Sequence, residues 1–202
     1  MTAVSVVAVC GSLREASYTR TALTYALDAA ETAGATTTLL DLRTADVPMY
    51  DPDADDQGVS EHLATVADAD AVILGSPVYH GTFTGALKNF HDHCGWDEYE
   101  DTVVGLVATA GGGSYASTLD HMRATARGVH GHVVPEQVGI RNASSKFSPD
   151  PTELDDRAIT DPDIEDRLRD LGQAVVRDAR RFATDPCQNP TSDENATAAD
   201  DD

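Results

Sequence analysis

Residues Val4 to Arg20, VSVVAVCGSLREASYTR, constrain this chain more than any other stretch. A run of β-branched residues ends in a glycine turn, and hydroxyl and guanidinium side chains follow before a helical pattern begins. A parallel sheet offers an anion site in this way: the strand stops, the loop bends, and the next helix points its free N–H groups at the ligand. Ser12, Ser17 and Thr19 can donate hydroxyl hydrogen bonds and Arg14 charge-assisted ones, so the stretch predicts a phosphate loop. It is not a P-loop, because the Gly-Lys-Ser/Thr end is missing. It is not a dinucleotide fingerprint either, because no glycine follows at the required spacings.

Beyond the loop, helix and strand patterns alternate. Tyr18 to Thr32 reads as a helix with Leu23, Leu27 and Ala30 at helical spacing, Gly34 closes it, and residues 36–42 read as a strand. A polar loop through Val47, Pro48 and Met49 reaches the acidic cluster Asp51 to Asp56, and Ser60 to Ala69 reads as a short helix. Residues 71–77, AVILGSP, form the continuous apolar run of a central strand covered on both faces. A glycine-bearing loop, Ser76 to Gly85, precedes a helix with Phe83, Leu87, Phe90 and Cys94 along one face. Residues 102–110 form the next strand, Gly111 to Tyr115 a third loop, and a helix to about Arg127 leads to a strand over His132 to Ile140. Asn142 to Thr160 reads as irregular. Asp161 and Pro162 then start a helix whose apolar stripe runs Ile164, Leu168, Leu171, Val175, Ala179 and Phe182. From Asp185 little remains to bury, which predicts one domain over residues 1–184 and an acidic disordered tail over 185–202. The alternation implies a parallel sheet with helices on both faces, and the loops after strands one, three and four then share one edge.

The formal net charge is −21, from 35 acidic against 14 basic residues, which predicts a surface that repels nucleic acid and anionic lipid. Scarce lysine beside such acid excess suggests adaptation to a salt-rich cytoplasm. No apolar run approaches a membrane span and no leader pattern opens the chain, so membrane insertion and secretion are not expected. Cys10, Cys94 and Cys187 are odd in number and far apart, which fits a reducing cytoplasm.

Several motifs carry competing readings. Cys10 invites comparison with small tyrosine phosphatases, but Ala16 stands where their arginine would, leaving Cys10 as a buried strand-end residue. Gly112 to Ala116 approximates a nucleophile elbow with Ser114 as a hydrolase nucleophile, needing Asp120 and His130 or His132 to complete a triad. His91, Asp92, His93 and Cys94 look like metal ligands, yet helical residues two apart point to nearly opposite sides, so no metal site is expected. Trp96 and Tyr99 read as ordinary packing, or as flanking a ligand or dimer contact.

Residues 76–90, SPVYHGTFTGALKNF, together with 11–20, GSLREASYTR, resemble the NAD(P)H-dependent FMN reductases, a branch of the flavodoxin-like fold. In that family a Gly-Ser-x-Arg-x-x-Ser loop binds the FMN phosphate. A Pro-Glu-Tyr-Asn-Gly-Ser segment lies along the isoalloxazine ring, and Gly-Ala-Leu-Lys-Asn starts the next helix. Residues 41–52, DLRTADVPMYDP, look like the family's second loop, and the resemblance spans about residues 4–140. Val78 and His80 stand where the family has Glu and Asn.

The resemblance implies an α/β, flavodoxin-like three-layer sandwich with five parallel strands in order 2-1-3-4-5. It assigns Ser12, Arg14, Ser17, Tyr18 and Thr19 to the phosphate. Pro77, Val78, Tyr79, His80 and Gly81 fall along the ring, and Thr109, Gly111, Gly112 and Gly113 at its pyrimidine edge. It implies FMN as cofactor, NADPH or NADH as donor, and hydride passing to flavin N5 and on to a quinone, azo compound, free flavin or metal oxyanion. No side chain is required as acid or base. It also implies a homodimer, or a tetramer, with the helix from Phe83 to Cys94 as a contact. A one-electron carrier like flavodoxin and a non-catalytic flavin-binding regulator are the alternatives; flavodoxins usually lack an arginine such as Arg14 in the phosphate loop.

Overall fold

The computed structural model describes residues 3–54, 58–149 and 157–184. The expected tail from Asp185, Cys187 within it, and the end of the acidic cluster lie outside the described residues. Five strands, β1 (Ser5–Cys10), β2 (Thr36–Asp41), β3 (Ala71–Pro77), β4 (Val103–Thr109) and β5 (His132–Ile140), form one parallel sheet in order β2-β1-β3-β4-β5. This is the expected fold, down to the strand order.

Alternation along β1 shows how the layers form. Val6, Ala8 and Cys10 join one core with α1 (Tyr18–Thr32) and α6 (Pro162–Thr184). Val7 and Val9 join the other, with α2 (Ser60–Ala67), α3 (Gly85–His93), α4 (Trp96–Tyr99) and α5 (Ala116–Gly128). Successive side chains of a strand point to opposite faces, so a strand covered twice is apolar on both, as β3 is through Leu74 and β4 through Ala108, with polar Ser76 and Thr109 only toward their carboxyl ends. On the first face α1 and α6 lie unusually close. A Cβ on Gly172 would stand 2.1 Å from the Ala26 carbonyl oxygen, so only glycine fits that crossing.

Several boundaries shift for local reasons. Thr84 caps α3, its hydroxyl accepting from Leu87 N at 3.2 Å, so Phe83 and Cys94 flank the helix while still packing on its core. The short turn α4 was not expected from the sequence; the Glu98 carboxylate accepts the Gly95 amide at 2.6 Å and starts it. The segment read as irregular before α6 contains a 3-10 turn, Ala143–Ser145, and an antiparallel bridge between Phe147 and Ile159. Asp161 caps α6 as expected, accepting from Asp163 N and Ile164 N. Among the described residues no helix is long and apolar enough to cross a membrane.

Candidate functional site

The carboxyl ends of β1, β3 and β4 release three loops into one cleft of about 430 Å³. Its lining includes Ser12, Arg14, Ser17, Tyr18 and Thr19 from the first loop, Pro77, Val78 and Tyr79 from the second, and Thr109 and Gly111 from the third. Ala110, within the expected Thr109 to Gly113 stretch, also lines it, while Ala16, Ala143 and Ser144 complete it and were not foreseen. A small residue offers no chemical signal in a sequence, and Ala143 and Ser144 arrive only through the fold beyond β5. His80, Gly81, Gly112 and Gly113 lie near the cleft in sequence but do not line it.

The first loop is pinned from beneath. Gly11 N donates to Gly75 O at 2.8 Å, and Thr84 Oγ1 donates to Gly11 O at 2.7 Å. A side chain at Gly11 would meet Leu87 Cβ at 2.7 Å. Ser12 and Ser17 are almost wholly buried, and each hydroxyl oxygen accepts a backbone N–H, from Arg14 and Arg20 respectively. The Ser12 proton is thereby left to donate to an acceptor in the cleft, while the Ser17 hydroxyl also lies within hydrogen-bond reach of the Cys10 sulfur. Ser17 is the N-cap of α1, and the amides of Tyr18 and Thr19 in its first turn have no intrahelical acceptor. Arg20, for which no role was expected, braces the loop. Its Nε donates to Asp41 Oδ2 at 2.7 Å, while its Nη atoms donate to the carbonyls of Glu15 and Arg14. Arg14 itself is exposed, and its guanidinium has no partner among the described residues.

The second loop folds into a hairpin tip. Tyr79 and Thr82 exchange backbone hydrogen bonds of 3.0 and 3.2 Å across His80 and Gly81, whose φ values are +53° and +82°. Left-handed angles at both central positions define a type I′ turn, which favours Asn-Gly and admits histidine more readily than most residues. His80 is therefore accounted for by backbone shape. The tip rests on α5, where Ser117 Oγ donates to Gly81 O at 2.6 Å and His121 Nδ1 lies 2.9 Å from Thr82 Oγ1.

The third loop is tied to the first through the hydroxyls of Thr19 and Thr109, 2.6 Å apart and buried. Val78 N donates to Thr109 O at 2.8 Å, Ala110 N to Ile140 O at 2.7 Å, and Arg141 Nε to Gly112 O at 3.1 Å. The glycine amides of 111–113 remain without acceptors among the described residues.

The competing motifs come apart. Ser114 Oγ accepts the Ala116 amide, while His130 and His132 stand at the opposite edge of the sheet beside Glu100 and Asp101, so no triad forms. Burial pushes the Cys10 thiol up to about 11, unlike a phosphatase nucleophile. On α3, His91 packs edge-on against Tyr99 while His93 reaches Pro48 O on another side. Trp96 also belongs to the far edge, stacked on His130 at 4.7 Å, and Tyr99 is fully buried. Neither flanks the cleft.

The family model for NADPH-dependent FMN reductase matches residues 4–145. An FMN-dependent NADPH-azoreductase of Staphylococcus saprophyticus is 38% identical over 85 residues, 42% of this chain and 45% of that one. The chain thus spans about half the length of the curated relatives it matches. Among solved structures, the apo form of an NADH:FMN oxidoreductase superposes with a TM-score of 0.67 at 22% identity, covering 87% of this chain and 89% of that one. A flavodoxin from the Archaea superposes at 0.62 with 11% identity, covering 87% and 99%.

Proposed function

The chain belongs to the NADPH-dependent FMN reductase family, and from that membership we propose that the cleft holds FMN in an NAD(P)H-dependent oxidoreductase. The observation that carries this reading is Arg14. In a chain with 35 acidic and 14 basic residues, one guanidinium has no partner among the described residues and stands at a cleft lined by buried hydroxyls. That arrangement suits a phosphate dianion.

In this reading Ser12, Arg14, Ser17, Tyr18 and Thr19 hold the phosphate. Pro77, Val78 and Tyr79 border the ring, with His80 and Gly81 shaping the hairpin that presents them. Thr109 and the amides of Gly111, Gly112 and Gly113 serve the pyrimidine edge, where N–H donors favour developing negative charge. Bound FMN would supply the redox chemistry, taking hydride from NADPH or NADH and passing electrons to a quinone, azo compound, free flavin or metal oxyanion. The protein's own part is to bind, orient and screen, with no side chain acting as acid or base. We assign this role to one domain over residues 1–184, in a homodimer that packs through α3. The acid excess fits a salt-rich cytoplasm.

The test is the visible spectrum of the protein purified in high salt, followed by NADPH without oxygen. Oxidised-flavin absorption that bleaches promptly is the expected result. Absorption that persists would favour the one-electron carrier or the non-catalytic flavin-binding regulator. A colourless protein that takes up no added FMN would overturn the cleft assignment.

A further inference from the structure

The family match ends at residue 145; Ala143 and Ser144, near its end, line the cleft, and beyond it Phe147, Arg157 and Ile159 pack against α1. Contacts of Arg157, Phe147 and Ile159 with Tyr18 and Tyr25 of α1 make that packing among the described residues. Arg157 is 4% exposed, and its Cζ sits 4.5 Å over the centroid of the Tyr18 ring. Phe147 meets the same ring at 5.0 Å, and Tyr25 Oη accepts the Ile159 amide at 3.3 Å. The Lys146–Asp161 ion pair of 2.5 Å ties the segment to the start of α6.

A buried guanidinium is costly to desolvate, so its retention calls for a physical role. Here Arg157 Nη1 donates to Ser148 O at 3.3 Å, and the planar group lies on the face of Tyr18, where a desolvated cation is well stabilised. Tyr18 is the first residue of α1, between Ser17 and Thr19, and lines the cleft itself. The contact therefore joins a segment outside the family match to the turn whose amides and hydroxyls face the anion.

We propose that Arg157 is a positioning residue for the phosphate end of the ligand: by gripping Tyr18 it holds the first turn of α1 and seats Ser144 in the cleft wall. This rests on the FMN reading above. Its specific content is that Arg157 governs the phosphate end and leaves the ring end alone, so it separates FMN from riboflavin.

The test compares FMN and riboflavin binding, by flavin fluorescence, in the wild type, Arg157→Met and Arg157→Lys. Arg157→Met should weaken FMN about tenfold and riboflavin less than about twofold, with Arg157→Lys between. Equal loss for both ligands, or no loss of FMN affinity, overturns the proposal. Should Arg157→Met fail to fold, hydrogen exchange of the wild type decides. FMN should slow the amides of residues 143–148 and 157–160 more than riboflavin does, and equal protection overturns the proposal. A wild type that binds neither flavin removes the FMN reading, and this proposal falls with it.

Discussion

The two edges of the sheet carry opposite kinds of residue. At the amino edge, Trp96 stacks on His130, His132 lies against Phe182, and the two histidines face Glu100 and Asp101. These are the residue types usually sought in active sites, yet each has a neighbour that satisfies it. At the carboxyl edge the cleft is lined mostly by serine, threonine, alanine and glycine, with two tyrosines, a proline, a valine and a single arginine. There the donors are held in place from behind and left open in front. What separates a site from a packed cluster in this protein is the direction of unsatisfied hydrogen-bonding capacity.

Arg14→Ala should break the contrast most strongly, lowering FMN affinity roughly ten- to hundredfold, the scale of a lost charge-assisted hydrogen bond. Trp96→Ala at the other edge should leave flavin affinity unchanged. Titration of the apoprotein by flavin fluorescence reads both, and a matching loss at Trp96 would erase the distinction.

Arg20→Gln should come next. It leaves Asp41 without its cation and frees the carbonyls of Glu15 and Arg14. The apoprotein should lose about 1–3 kcal/mol in urea denaturation, and FMN affinity should fall in parallel. A stability loss with unchanged affinity would show that the first loop holds its shape unaided.

The smallest effect belongs to the buried end of α3. Burial pulls the His91 pKa below its ordinary 6.5, so the native state keeps this ring neutral while the unfolded chain protonates it. Its contribution to stability is therefore complete above about pH 6.5 and declines as the pH falls through that value toward the folded pKa. His91→Phe should flatten the stability profile over that interval, measured as denaturation midpoints at about pH 7.5 and about pH 5. An unchanged slope would assign the acid sensitivity elsewhere.

How much of this was legible beforehand follows from the range of each interaction. The AVILGSP run of β3 and the six-residue stripe of α6 announce themselves through periodicity, and Asp161 through its place before Pro162. Loops that leave one edge of a parallel sheet must converge, so most of the cleft followed from topology alone. The brace made by Arg20 did not, because Asp41 lies 21 residues away on another strand. Nor did the Thr19–Thr109 pair, 90 residues apart, or the arrival of Ser144. Each depends on two segments meeting at a distance that no local pattern encodes. The α4 turn was missed for the opposite reason, since four residues hold too little periodicity to read.

The contact of Gly172 with Ala26 also has a meaning in time. Helix α1 emerges early from the ribosome, but the partner that completes its side of the sheet is the last described element to be made. Leu23, Ala26 and Leu27 share their core with residues of α6, and apolar surface exposed before such a partner is made is prone to aggregate. The family match ends at residue 145, whereas α6, the helix that covers α1 and closes this face of the sheet, begins only at Pro162.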